Sequence, residues 1–291
     1  MKQRIVKILK ISFDIFFYLL MIGVGYFLLR IFVVDSYKIP THSMMPTLIP
    51  GDNILVNKLA YGPRWYDIFE VATGKRTNIN RLPGYQNIQR NDVVVFNNPY
   101  PNNNQQIQME FAKFYLKRCI ALPGDTLYIK EGFYSVNHLP DTLGYYPAQQ
   151  QLHSLSREQL KGVEYEAFPW DSIVGWTIKD FGGLYLPKKG DMLTLHRTES
   201  LLYKKLIEWE TECPLRWERD TLWQDQTPLT HYTFKHNYYF MAGDNVLNSR
   251  DSRYIGLIPD EYIAGKVWFI WKAVNLNTNE FRWERFLKVV R

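Results

Sequence analysis

Apolar positions are spread unevenly along this chain. Residues 15–34 carry no charge except Arg30. At about 1.5 Å per residue they make a helix of roughly 30 Å, the thickness of a hydrocarbon core. Arg30 lies about one turn from the far end, where its head group can snorkel to the interface. Beyond this stretch the pattern shortens. Residues 92–96, 111–122, 126–130, 134–136, 192–195, 232–241 and 266–273 are rich in aromatic and β-branched side chains and read as strands. Turn clusters such as Asn97-Asn98-Pro99 and Pro123-Gly124-Asp125 separate them, and Glu131-Gly132 reads as a hairpin tip. Helical periodicity is scarce: Leu202, Leu206 and Trp209 mark 200–210 as the best internal helix. Residues 137–190 show no clean period and are expected to be irregular.

Near the end, Trp283, Phe286, Leu287 and Val290 stand at helical spacing, with Arg282, Arg285, Lys288 and Arg291 between them. The spacing suits a short basic amphipathic helix on anionic lipid. A terminal segment docked on its own domain is the preferred reading, since so short a run is marginal as a free helix.

Charge gives the apolar stretch a direction. Lys2, Arg4, Lys7 and Lys10 precede it, and the first acid is Asp14. The positive-inside rule places the N-terminus in the cytoplasm and everything after Asp35 on the opposite, extracytoplasmic side of the membrane. A cleaved secretory signal has a shorter apolar core and ends in small residues. Here the first alanine is Ala60, so an uncleaved single-pass anchor is expected.

The 291 residues, 46% hydrophobic and 16% aromatic, exclude a wholly disordered chain. The formal charge of +6 is diffuse, so nucleic acid is not an expected partner. Two cysteines, Cys119 and Cys213, make neither a disulfide framework nor a thiolate cluster, and the six histidines lack ligand spacing. No metal, nucleotide or other cofactor is expected.

Three segments hold candidate chemistry. The first, Ile39-Pro40-Thr41-His42-Ser43-Met44-Met45-Pro46-Thr47-Leu48, puts one serine in a Pro-bracketed loop. In the second, Tyr115-Leu116-Lys117-Arg118-Cys119-Ile120-Ala121, strand periodicity puts Lys117 and Cys119 on one face. Taken alone, Lys117 reads as an edge-strand lysine reaching water. The third runs Gly243-Asp244-Asn245-Val246-Leu247-Asn248-Ser249-Arg250-Asp251-Ser252-Arg253, by itself a polar loop.

In this order the three segments resemble the bacterial type I signal peptidases, membrane-bound serine proteases that cut signal peptides from exported proteins. The resemblance covers the anchor, 36–58, 114–130 and 238–271. It implies a mostly β, extracytoplasmic catalytic domain with a variable inserted region, behind one transmembrane helix. The corresponding division is 1–14 cytoplasmic, 15–34 anchor, 35–136 and 238–280 catalytic core, 137–237 insertion and 281–291 tail. The same match makes Ser43 the nucleophile and Lys117 the general base, with Ser249 orienting the lysine. The hydroxyl of Thr41 and the backbone N–H of Ser43 become the oxyanion donors. Arg118 with Asp244, and Asp251 with Arg253, are the expected supporting ion pairs, against a plain alternative of surface pairs worth little.

The pairing makes physical sense. A serine hydroxyl needs a base during attack, and a lysine serves only when neutral, so burial must lower its pKa by roughly three units. His42 stands where many relatives carry glycine, which invites a rival His–Ser mechanism; on an extended chain it would point away from the Ser43 side chain and be badly placed to deprotonate it. Val246 and Leu247 replace polar residues common in that loop. Cys119 reads as a small packing residue, or as a place where oxidation or alkylation perturbs the base.

The implied substrates are signal peptides of exported preproteins, cut after small residues of Ala-x-Ala type. The implied surroundings are the lipid bilayer and the region of the secretion translocon. An extended substrate would add a strand to a sheet edge. One rival is a Ser/Lys autoprotease of the SOS-repressor kind, which predicts a DNA-binding helical domain where this chain has a membrane span. The other is a non-catalytic tethered binding module, which predicts loss of Ser43, Lys117 or Ser249.

Overall fold

The computed structural model describes residues 2–73, 76–100, 106–137 and 142–291. The segment 138–141, at the start of the expected insertion, therefore lies outside the described residues, as do 74–75 and 101–105 within the first part of the expected core. One long helix, Lys2–Phe32, opens the chain and is exposed along its apolar length. It ends two residues before the expected limit at 34, because Val34 already starts a strand. One turn residue, Val33, separates membrane-length helix from β-structure.

The body is β-rich. Among the described residues its main sheet has eight antiparallel strands. Seven follow the order Val34–Lys38, Asp52–Asn57, Ile263–Ala273, Val93–Asn98, Glu110–Ala121, Tyr238–Ala242 and Ile258–Pro259. The eighth, Lys288–Val289, pairs with Ile263–Ala273. Period-two alternation feeds two cores: Val93 and Val95 join Met44, Leu48, Ile54, Val56 and Ile270, whereas Val94 and Phe96 join Cys119, Ala121 and Phe240. Covered on both faces, the central strands are the near-continuous apolar runs seen in the sequence.

A second sheet orders Phe133–Val136, Thr126–Lys130 and Phe181–Tyr185. Its hairpin turns at Glu131 and Gly132, both at positive φ as a tight two-residue hairpin turn requires. Residues 137–190, expected to be irregular, hold helix Tyr146–Ser154 and strand Phe181–Tyr185 among the described residues. Beyond them the helix expected at 200–210 is present as Arg197–Thr211, and the strand expected at 192–195 as Met192–Thr194, in a ribbon with His231–Thr233; a meander over 215–228 lies between. Leu152, Leu184, Leu206 and Tyr232 from this region share one continuous core with Val94 and Cys119. The run 232–241 is not one strand but two, split at 234–237. Buried Glu210 captures the backbone N–H of Lys235 at 2.8 Å and of His236 at 3.1 Å, and so removes them from any ladder.

The terminal segment does not form the amphipathic helix its spacing suits. It makes a single 3₁₀ turn, Trp283–Arg285, and then strand Lys288–Val289 beside Phe269 and Ile270. Leu287 adopts φ 56°, which breaks any helix, and Val290 is buried. Arg285, counted on the basic face, instead grips buried Asp52 with Nε at 2.9 Å and Nη2 at 2.6 Å. The bidentate grip on Asp52 and the burial of Val290 fix the segment to the sheet, where so short an isolated helix would be marginal.

Candidate active site

Ser43 sits in the loop joining strands Val34–Lys38 and Asp52–Asn57. Ile39 and Gly51 close the loop, since Ile39 N–H donates to Asp52 O and Gly51 N–H to Ile39 O, at 2.8 and 3.0 Å. Met44 and Leu48 are buried in the core, and Arg285 Nη2 holds Thr47 O at 2.9 Å. Ser43, just ahead of these two buried apolar pegs, is thereby held half-buried. The stretch 41–47 is built of bends and turns rather than extended chain, so strand alternation does not govern where Thr41, His42 and Ser43 point. His42 is exposed and its ring makes no hydrogen bond among the described residues.

Lys117 lies in Glu110–Ala121, which pairs with Val93–Asn98 on one side and Tyr238–Ala242 on the other. It is therefore a central-strand lysine, not an edge one, and only 5% exposed. Its Nζ is 2.6 Å from Ser43 Oγ, its one hydrogen-bond partner among the described residues. Desolvation lowers its pKa from 10.5 to about 8; Asp251 and Asp244 oppose that shift, and Arg253 adds to it.

The loop after Tyr238–Ala242 is sutured to the serine loop. Asn245 N–H donates to Ser43 O at 3.0 Å, and Asn245 Nδ2 to His42 O at 3.1 Å. A Cβ added at Gly243 would stand 2.2 Å from Ser249 Oγ and 2.5 Å from Ser43 O, so only glycine lets these backbones meet. Gly243→Ala is accordingly expected to cost at least about tenfold in kcat for the reaction that the resemblance implies, although it removes no chemical group. A variant with wild-type kcat would show that the loops need not meet this closely.

Both expected ion pairs are buried. Arg118 holds Asp244 with Nε at 2.7 Å and Nη2 at 2.6 Å, and its Nη1 donates to Asn91 O at 2.7 Å. Arg253 holds Asp251 with Nε and Nη2, both at 2.8 Å, and neither side chain is exposed. Asp251 also accepts from Gly243 N–H at 2.9 Å. Burial alone would raise the Asp251 pKa, but Arg253, its hydrogen bonds and Lys117 hold it below the usual carboxylate range. These pairs are structural members of the site floor, not solvated surface contacts of small value.

Ser249 is buried with its Oγ beside Gly243, but that oxygen has no hydrogen-bond partner among the described residues, Lys117 included. The expected contact between Ser249 and the lysine is thus not formed in this geometry. Thr41 is exposed; its hydroxyl and the Ser43 N–H make no hydrogen bond among the described residues. Cys119 is fully buried, with its thiol pKa pushed up chiefly by desolvation, and both cysteines are free thiols. Sequence reasoning missed Gly243, Asn245 and the Asp52–Arg285 pair. The Gly-Asp-Asn run was the available signal for the first two.

Residues 9–272 match the family profile of signal peptidases, peptidase S26. Among curated relatives, signal peptidase I of Buchnera aphidicola subsp. Schizaphis graminum is 30% identical over 91% of this chain and 76% of its own. Signal peptidase I of Pseudomonas aeruginosa is 32% identical over 84% of this chain and 67% of its own. A crystal structure of a signal peptidase I from Enterococcus faecalis V583 aligns with 62% of this chain and 97% of its own, at 19% identity and a TM-score of 0.30.

Proposed function

The chain belongs to the signal peptidase family, peptidase S26, as a serine peptidase of the signal peptidase I type, and from that premise we propose a Ser43–Lys117 dyad that cuts signal peptides after small residues. The observation that carries the reading is a 2.6 Å contact between a hydroxyl and a buried amine whose pKa is lowered to about 8. Neutral Lys117 takes the Ser43 proton as Oγ attacks the scissile carbonyl. The oxyanion is met by the Ser43 N–H and the Thr41 hydroxyl, neither of which has a hydrogen-bond partner among the described residues. The Lys117 ammonium then protonates the departing amine. The same lysine, neutral again, activates the water that releases the acyl group. Ser249 Oγ, buried and without a hydrogen-bond partner among the described residues, is the group that takes up the lysine as it changes charge.

Substrates are membrane-held precursors with an Ala-x-Ala site on the extracytoplasmic face. The basic start of the chain stays in the cytoplasm, the helix anchors, and the shared bilayer raises the effective concentration of enzyme and precursor. Purified full-length protein incubated with one Ala-x-Ala precursor is expected to give two fragments whose masses locate the cut after the second alanine. No cleavage, or cleavage elsewhere, contradicts the reading.

A further inference from the structure

The connection between helix and sheet has no slack. Helix Lys2–Phe32 is followed by Val33 alone before strand Val34–Lys38 enters the main sheet. Lys58, just past the paired strand Asp52–Asn57, lies opposite Val33 and donates its backbone N–H to Val33 O at 2.9 Å. Its ammonium donates to Arg30 O at 2.7 Å and Ile31 O at 3.3 Å. Those carbonyls belong to the last helical turn, where acceptors have no intrahelical donor. Asp35 closes the other side, 2.5 Å from Arg30 Nη2 and 3.2 Å from Lys58 Nζ. The same carboxylate accepts from Ser36 N–H at 2.8 Å and Tyr37 Oη at 3.2 Å. The Trp271 indole donates to Ser36 Oγ at 2.6 Å, which ties the exit to a second strand.

We infer that the Arg30–Asp35–Lys58 clamp holds the Ser43 loop at one height above the bilayer. The distance between a precursor's own apolar segment and its scissile bond thereby becomes a specificity determinant. The inference rests on the peptidase reading above. A flexible tether of even a few residues would let the body tilt and sample many heights. A helix end capped by a side chain of the sheet cannot. A precursor whose cut site lies too near or too far must then distort to reach Ser43, and small misplacement of reacting atoms is costly. None of the three clamp residues belongs to the dyad or its donors.

The test uses full-length protein in liposomes and a precursor series whose Ala-x-Ala site moves stepwise from the end of its apolar segment. Wild type should show one optimum, with cleavage falling at least about tenfold four residues to either side. The double variant Asp35→Ala/Lys58→Ala should flatten that fall to under about threefold. It should still cut a short water-soluble peptide at the wild-type rate, which reports an intact fold and dyad. A four-residue Gly-Ser insertion between Val33 and Val34 should flatten the profile too, with every clamp side chain retained. A wild-type optimum and width in the insertion variant, or in the double variant, overturns the clamp, as does a flat wild-type profile. Failure of wild type to cut either the series or the soluble peptide instead removes the peptidase reading and the clamp with it.

Discussion

Ser43→Ala and Lys117→Met should each lower precursor cleavage by at least about three orders of magnitude while the protein still folds and inserts. The two losses should not add in the double variant, because the residues act as one unit. Lys117→Met carries a second expectation that a merely structural lysine would not satisfy. In the folded chain its pKa is lowered from 10.5 to about 8, so keeping it protonated there costs about 3 kcal/mol by the value of a pKa unit. Below pH 8 the amine is protonated in both states and the whole penalty applies. Between pH 8 and 10.5 only the folded state releases its proton, so stability rises with pH; above that range the penalty is gone. Methionine, similar in length and uncharged, should therefore raise the unfolding free energy near pH 6 and much less near pH 11. Denaturant titration at the two pH values checks it, and a destabilised variant at pH 6 would contradict the buried-amine account.

Asp251→Ala should be the most damaging change to stability around the site, at about 3–5 kcal/mol. It leaves the fully buried Arg253 guanidinium without its carboxylate and Gly243 N–H without its acceptor. The same variant has a kinetic signature. Asp251 raises the Lys117 pKa and Arg253 lowers it, so with the carboxylate gone the amine should titrate below pH 8. The rising limb of activity against pH should move to lower pH even as stability falls. Urea unfolding and a pH–rate profile of the residual activity separate the two effects; an unmoved limb would mean that the pair holds the loop without tuning the base.

What the sequence revealed depended on how local the physics was. Strand Thr126–Lys130 and the Glu131-Gly132 hairpin turn followed from alternation and turn chemistry alone. Strand Asp52–Asn57 did not, although it is central, because Asp52 is a poor strand residue until Arg285 neutralises it from the far end of the chain. The break at 234–237 was equally hidden, since its cause is Glu210 on a separate helix. Helix Tyr146–Ser154 escaped notice because few of its residues are buried, among them Gln149, whose amide serves Tyr134 N–H at 2.9 Å and Leu143 O at 2.6 Å. Ser43 and Lys117, far apart in sequence, were legible as a pair only through the joint pattern of three segments. Each segment alone reads as an ordinary loop or strand. That the Ser249 hydroxyl finds no hydrogen-bond partner among the described residues is something to which no sequence pattern speaks.

The most direct measurement is kcat/KM of the full-length protein on one precursor peptide across pH 5 to 10. A Lys117 amine whose pKa is lowered to about 8 predicts a rise of tenfold per pH unit that levels off with a midpoint near pH 8. A profile flat from pH 5 upward, or a midpoint at the 10.5 of a solvated lysine, would contradict it.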